Sequence, residues 1–167
     1  PLVEIVVGLI PVFAFLIALV LLDSFKLITF RSILLAIAMG GLFAATCLVI
    51  ETWYGAEFNI GNKTNARYIA PIVEEIAKAL FLILLIKKRK VGFMVDAAIY
   101  GFAIGAGFAF IENVYFLHSK PHISIFGWMI RGLGTAVMHG GTTAIFGIIS
   151  MNMHERHHKP KFYLLLP

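Results

Sequence analysis

The segment Ile69-Ala70-Pro71-Ile72-Val73-Glu74-Glu75-Ile76-Ala77-Lys78-Ala79-Leu80-Phe81 places three ionisable side chains in a run that otherwise has the composition of a membrane span. A charge at the middle of a bilayer costs roughly 2.5–3.5 kcal/mol on insertion scales. Glu74, Glu75 and Lys78 therefore indicate a function. On a helix, Lys78 can pair with either carboxylate. A purely structural ion-pair network would need only one of them, and the other would remain unpaired.

The composition is typical of a polytopic membrane protein. Of the 167 residues, 60% are hydrophobic and 14% are charged, and the mean hydropathy is +0.90. Soluble domains contain roughly 25% charged residues. We predict an all-α, polytopic bundle of transmembrane helices that forms a single integral membrane domain over residues 1–167. The predicted spans are about 3–22, 33–53, 68–86, 92–117 and 125–150.

The two ends and the single cysteine add three expectations. The first residues lack a basic region and a small-residue cleavage site, so we do not interpret them as a signal peptide. An apolar run begins at Phe162, which predicts a further span that is truncated at Pro167. Cys47 is the only cysteine, so an intramolecular disulfide is excluded.

The basic residues predict the orientation of the spans. Loops one, three and five contain nine of them: Lys26, Arg31, Lys87, Lys88, Arg89, Lys90, Arg156, Lys159 and Lys161. Loops two and four contain three: Lys63, Arg67 and Lys120. The positive-inside rule places the odd loops in the cytoplasm and the N-terminus outside. The net charge of +5 then reflects loops that face anionic membrane lipids, and no nucleic-acid partner is expected.

Two further ionisable side chains are predicted to share the depth of the glutamate pair. A helix rises about 1.5 Å per residue, which places the glutamates of span three roughly 9–10 Å below the outer surface. Glu112 on span four lies roughly 8 Å down by the same measure. His139 lies roughly 12 Å down if Arg131 marks the outer end of span five, and about 21 Å down if Ile125 does.

Small and hydroxyl side chains on spans four and five support this convergence. A small-residue stripe on each span allows close helix approach on the side of Glu112 and His139. The stripes are Gly101, Gly105 and Ala109 on span four, and Ala136, Gly140 and Ala144 on span five. Thr135, Thr142 and Thr143 lie within one turn of His139, so we expect their hydroxyls to bond or orient the imidazole.

Other patterns have plainer interpretations. Glu112 could serve polar contacts near the interface with Asn113, and a lone histidine is more often a core residue than a ligand. Asp96 is interpreted as an interfacial charge. The sequence His154-Glu155-Arg156-His157-His158 matches the H-E-x-x-H zinc pattern. We place it in a polar loop over 151–161, where that chemistry would lack its helix.

Serine, cysteine and aspartate protease chemistries are disfavoured. The chain has no Gly-x-Ser-Gly sequence, and no histidine stands near Cys47. The only aspartates, Asp23 and Asp96, fall at the cytoplasmic ends of predicted spans.

Three motifs together resemble those of a known family. Glu74-Glu75-Ile76-Ala77-Lys78 matches EExxK, and Phe108-Ala109-Phe110-Ile111-Glu112-Asn113 matches FAxxEN. Thr135-Ala136-Val137-Met138-His139-Gly140 resembles a third, histidine-containing motif. In this order they resemble the PrsW family of bacterial intramembrane proteases, which is distantly similar to the CAAX prenyl proteases.

The resemblance implies cleavage of a single-span membrane protein, such as an anti-sigma factor, on the extracytoplasmic side of the bacterial cytoplasmic membrane, at the start of a stress response. It also implies a further histidine in a later helix. Peptide hydrolysis needs a water, a base and oxyanion stabilisation. We expect Glu74 or Glu75 to be the base and Lys78 to pair with the other. Asn113, Thr142 and Thr143 would support the site.

The role of a metal stays open at this point. Glu112 and His139 could be two of three ligands of a catalytic Zn²⁺. A metal-free version uses the same residues, with His139 as oxyanion donor. The alternatives to an enzyme are a cation- or proton-coupled transporter and a non-catalytic membrane scaffold that binds substrate. A transporter should show inverted repeats, and no convincing repeat is present.

Overall fold

The computed structural model describes residues 2–22, 28–58, 64–119 and 123–158, and this part of the chain is all-helical. The α-helices are α1 (Leu2–Leu22), α2 (Phe30–Glu57), α3 (Ala70–Lys87), α4 (Met94–Ser119), α5 (Ile125–Thr135) and α6 (Thr142–His158). A first π segment (Asn65–Ile69) leads into α3, and a second π segment (Ala136–Gly141) joins α5 to α6. The chain therefore forms five successive helical rods in its described residues.

Helix α4 is the centre of the bundle because its glycines let neighbouring backbones approach closely. A Cβ on Gly105 would overlap the backbone carbonyl of His139, and one on Gly101 would lie 2.6 Å from that of Thr143. On the opposite side, a Cβ on Gly107 would overlap the carbonyl of Ile37 in α2. The predicted stripe on span four thus faces span five.

Three of the rods are long and apolar enough to cross a membrane: Phe30–Glu57, Met94–Ser119 and Ile125–Glu155. Helix α1 contains a shorter apolar stretch, Val6–Leu21. Helix α3 carries the charged residues of the opening segment within its 18 residues. The protein is thus helical and membrane-spanning, and the count of about five spans stays a prediction.

The predicted spans agree with the described helices to within a few residues at most ends, and two boundaries differ. Arg131 does not mark the outer end of span five, because α5 begins six residues earlier at Ile125. The predicted loop over 151–161 is wrong for its first eight residues, since α6 continues to His158. Residues 159–167, including the apolar run from Phe162, lie outside the described residues, as do Asp23, Lys26, Lys63 and Lys120.

Asp96 is a buried residue of the first turn of α4, at the end of the span where the sequence placed it. Its carboxylate is 4% exposed and accepts the backbone N–H groups of Gly92 and Phe93, at 3.1 and 3.0 Å. These N–H groups precede the helix and would otherwise lack intrahelical partners. Asp96 therefore fixes the start of the central helix.

Candidate active site

Five ionisable side chains from three helical rods form a continuous chain of hydrogen bonds. The order is Glu75, Lys78, His139, Glu112 and Arg131. Lys78 Nζ donates to Glu75 Oε1 and lies 3.0 Å from His139 Nδ1. His139 Nε2 lies 2.5 Å from Glu112 Oε2, and Arg131 donates to Glu112 Oε1 at 3.2 Å. The structure thus joins the EExxK segment to Glu112 and His139, the convergence that the sequence predicted.

Glu112 meets His139 although their backbones stand at different heights. The backbone of His139 packs level with Gly105, and Glu112 lies seven residues further along α4, about 10 Å away. Side chains on a helix lean towards its N-terminus. Because α4 and the second π segment run antiparallel, the two side chains lean towards each other and close this gap. This explains why counting His139 from Ile125 suggested a deeper position.

The contacts assign the proton on His139. A lysine ammonium can only donate hydrogen bonds, so Nδ1 must be the acceptor towards Lys78. The ring proton is then assigned to Nε2, which donates to Glu112. Both ring nitrogens and both oxygens of Glu112 are therefore engaged within the chain of bonds.

Phe108, the first residue of the FAxxEN motif, packs against both His139 and Lys78. Its ring stacks on His139 with 6.1 Å between centroids and 22° between planes. The Lys78 ammonium lies 4.8 Å from the centre of the same ring. Phe108 and Lys78 are fully buried at 1% and 0% exposure. An aromatic face attracts a cation, so the ring of Phe108 gives the buried Lys78 ammonium a favourable contact in an apolar surrounding.

The predicted supporting threonines bond to the backbone and not to the imidazole. Thr142 and Thr143 donate to the carbonyl oxygens of Met138 and His139, the latter at 2.7 Å. Asn113 is buried and donates to Thr135 at 3.2 Å. The expectation that these hydroxyls bond the ring is wrong, because a helical threonine reaches the carbonyl four residues back more readily. They steady the π segment that carries His139.

A cavity of about 960 Å³ opens beside the chain of bonds, between α2, α3, α4 and α5. Its charged lining consists of Glu51, Glu74, Glu75, Glu112, Arg131 and His139. Glu74 accepts no hydrogen bond within the described part of the chain, whereas Glu75 bonds to Lys78. The two adjacent glutamates therefore differ: one is engaged and the other is free on the cavity wall.

Glu51 belongs to none of the three motifs and was not predicted as a site residue, but it lies on the buried side of α2 and lines the cavity. It is 7% exposed, and its Oε1 has no hydrogen-bond partner. Cys47 and Ala44 precede it at helical spacing on the same buried face. A carboxylate that continues an apolar stripe was the available signal, and it was hidden by the high mean hydropathy of the span.

The residues that could hold a metal do not form a ligand set in this arrangement. Glu112 and His139 bond to each other, and each of their polar side-chain atoms already has a partner. Within the described ranges, no group of three His, Cys, Asp or Glu side chains converges on one point. The H-E-x-x-H sequence does lie on a helix, but His154 is roughly 20 Å along the rod from His139.

Comparison with protein families gives one finding. Residues 29–166, well over half of the chain, match the family described as PrsW family intramembrane metalloprotease. The match covers all the helices that line the cavity and all three motifs. Comparisons with curated proteins and with solved structures give no match. The chain therefore belongs to the PrsW family of intramembrane metalloproteases.

Proposed function

We propose that this protein hydrolyses a peptide bond of a single-span membrane protein, such as an anti-sigma factor, and that Glu74 activates the attacking water. The assignment rests on the hydrogen bonds of the carboxylates at the cavity, because Glu75 and Glu112 have side-chain partners and Glu74 has none in the described part of the chain. Glu75 bonds to Lys78, and Glu112 bonds to both His139 and Arg131. Glu74 faces the same cavity without such a partner, so it has lone pairs available for a water.

The opposite wall supplies groups for the developing oxyanion. In the metal-free version the Nε2–H of His139 would leave Glu112 for the oxyanion, and Arg131 has guanidinium N–H groups beyond the one that bonds Glu112. Both line the cavity that Glu74 lines. Fixed donors in a site that excludes water stabilise a tetrahedral intermediate strongly. The carbonyl of the scissile bond would lie between these donors and the water held by Glu74.

The family description includes a metal, and Glu112 with His139 are the residues of this chain that could contribute ligands to Zn²⁺. A bound zinc ion would lower the pKa of its water and polarise the carbonyl. In the described arrangement both side chains are committed to each other and lack a third ligand. We therefore assign the roles of Glu74, Arg131 and His139 from their own contacts.

The position of the cavity supports action near the extracytoplasmic face. It is lined by Thr52 near the end of α2, Ala70 at the start of α3 and Ser119 at the end of α4, which share one end of the bundle. The basic run Lys87–Lys90 lies at the opposite end of α3. With that run in the cytoplasm of a bacterium and the N-terminus outside, the cavity lies in the outer leaflet.

The packing of α3 and α5 favours one entry side for a substrate helix. Helix α3 packs against α2, α4 and α6. Towards the outer end, residues of both α3 and α5 line the cavity, which separates these two helices. We propose that the substrate unwinds and enters between α3 and α5.

The test is cleavage of a single-span substrate by the protein reconstituted in liposomes. Glu74→Gln should lower kcat/KM by about 10²–10⁴-fold, the usual contribution of a general base. Glu75→Gln should lower it less, and Glu57→Gln on the exposed end of α2 is the matched control. Normal cleavage by Glu74→Gln, Glu112→Gln and His139→Gln would show that these residues do not carry the reaction, and no cleavage by the unaltered protein would favour the scaffold or the transporter.

Zinc dependence has a separate measurement. Loss of activity on chelation and recovery with Zn²⁺ would support the zinc-dependent version. Full activity in the chelator would support water activation by Glu74 alone.

A further inference from the structure

Glu51 is the one buried carboxylate at the cavity that the proposed chemistry does not use. It lies on α2, while the motif residues lie on α3, α4 and the second π segment. The residue is 93% buried, as its exposed fraction is 7%, and it lines the cavity together with Glu74 and Glu112. Its placement therefore calls for an explanation beyond the three motifs.

No cation of the protein neutralises Glu51 within the described part of the chain. The charged groups that act on it are Glu74 and Glu112, and both are acidic. The two cations near the cavity are engaged elsewhere, since Lys78 bonds Glu75 and Arg131 bonds Glu112. A structural carboxylate in an apolar helix would be expected to have a partner, because an unpaired buried charge is strongly unfavourable.

The cavity is large enough for the partner to be part of a substrate. Its volume of about 960 Å³ lies at the upper end of the range for ligand sites, which suits several residues of an unwound peptide. The lining has two carboxylates without a cationic partner, Glu51 and Glu74. A site of this charge favours a positively charged group and rejects an acidic one.

We propose that Glu51 binds the ammonium or guanidinium group of a lysine or arginine beside the scissile bond, and so selects basic substrates. This inference rests on the proposed protease function and names the substrate class of that same cavity. Glu74 keeps its role as the base and adds negative potential to the wall. The salt bridge forms only when substrate is bound, so Glu51 gains its missing partner at that moment.

A divalent metal ion is the competing occupant for two carboxylates. Catalytic metal sites use three protein ligands in a fixed geometry. Glu51 belongs to no such group among the residues that the structure describes. A flexible lysine or arginine side chain does not require converging ligands, and it can reach a single carboxylate. The geometry therefore favours an organic cation.

The test compares pairs of fluorescent single-span peptides that differ only in Lys or Met, with the replaced residue moved through the positions around the cleavage site. Binding to the protein in nanodiscs and cleavage in liposomes are both measured. We expect at least one position at which Lys binds about 10-fold more tightly than Met, which equals about 1.4 kcal/mol. Glu51→Gln should reduce this ratio to near 1, whereas Glu51→Asp should retain part of it and Glu57→Gln all of it.

Two results would overturn the inference directly: no position at which Lys binds more tightly than Met, or a Lys preference that persists in Glu51→Gln. A third would do so as well: Glu51→Gln and Glu51→Asp both weaken the binding of the Lys and Met peptides to the same extent. Loss of bound Zn²⁺ or Mg²⁺ in Glu51→Gln, measured by elemental analysis, would assign the metal instead. The two levels are separable. Cleavage without a Lys preference removes this inference alone, whereas a Lys preference in binding without any cleavage removes the protease function alone.

Discussion

Gly105 provides a test of how closely the central helix must approach His139. In Gly105→Ala the added methyl group would overlap the backbone carbonyl of His139, so α4 and the second π segment must separate. The obstacle is backbone on a packed helix and not the end of a flexible side chain. Overpacking of this kind costs about 1–3 kcal/mol. The same separation would stretch the 2.5 Å contact between Glu112 and His139.

Two measurements follow this change. Thermal unfolding can be monitored with a thiol-reactive dye, because Cys47 is buried at 4% exposure and becomes reactive when the helices separate. We expect Tm to fall by several degrees, at about 2–4 °C per kcal/mol for a chain of this size. Cleavage should fall by about 10²-fold, the usual effect of misplacing a catalytic group by 1 Å.

Gly55→Ala is the matched control for Gly105→Ala. Both glycines lie in long helices, and a Cβ at Gly55 has no atom within 4 Å. Removing a helical glycine should leave stability unchanged or raise it by up to about 1 kcal/mol. If Gly105→Ala unfolds at the same temperature as Gly55→Ala and cleaves at the same rate, the close backbone contact does not position His139, and the reasoning is refuted.

Two further substitutions test separate contacts. Lys78→Met keeps the apolar stem of the side chain but leaves His139 Nδ1 without a donor, so we expect the free energy of unfolding to fall by about 1–3 kcal/mol in the same assay. Glu75 is half exposed and can turn to water when Lys78 is removed. An unchanged Tm would argue against a bond between Lys78 and His139. Asp96→Ala removes the acceptor of two backbone N–H groups and should lower the free energy of unfolding by about 0.5–2 kcal/mol, while the remaining folded protein still cleaves. A loss of kcat at unchanged Tm would contradict a purely structural role for Asp96.

The sequence was sufficient to predict the helices and the meeting of the motifs, because both depend on periodic patterns. Apolar runs define the spans, and the stripe that includes Gly101 and Gly105 identifies the contact face of α4. The pairing of Lys78 could be narrowed to two carboxylates by spacing alone. The choice of Glu75 required the tertiary position of His139.

The errors have a common cause, which is that polarity was used as a marker of helix ends. Arg131 lies inside its helix, where it pairs with Glu112. Residues such as Glu155 are good helix formers, so a polar composition did not end α6. Glu51 was overlooked for the converse reason, since a single carboxylate scarcely lowers the hydropathy of an apolar helix.

The second π segment also changes which face of its helical rod points to each neighbour, and the rod packs closely against two different helices. On its N-terminal side, Gly132 packs against the backbone of Gly8 in α1; on its C-terminal side, Thr143 packs against Gly101 in α4. A π turn contains one residue more than an α turn, which shifts the phase of everything beyond it by about 100°. The inserted residue therefore rotates the face that packs on α4 relative to the face that packs on α1, and His139 lies within the segment where this rotation occurs.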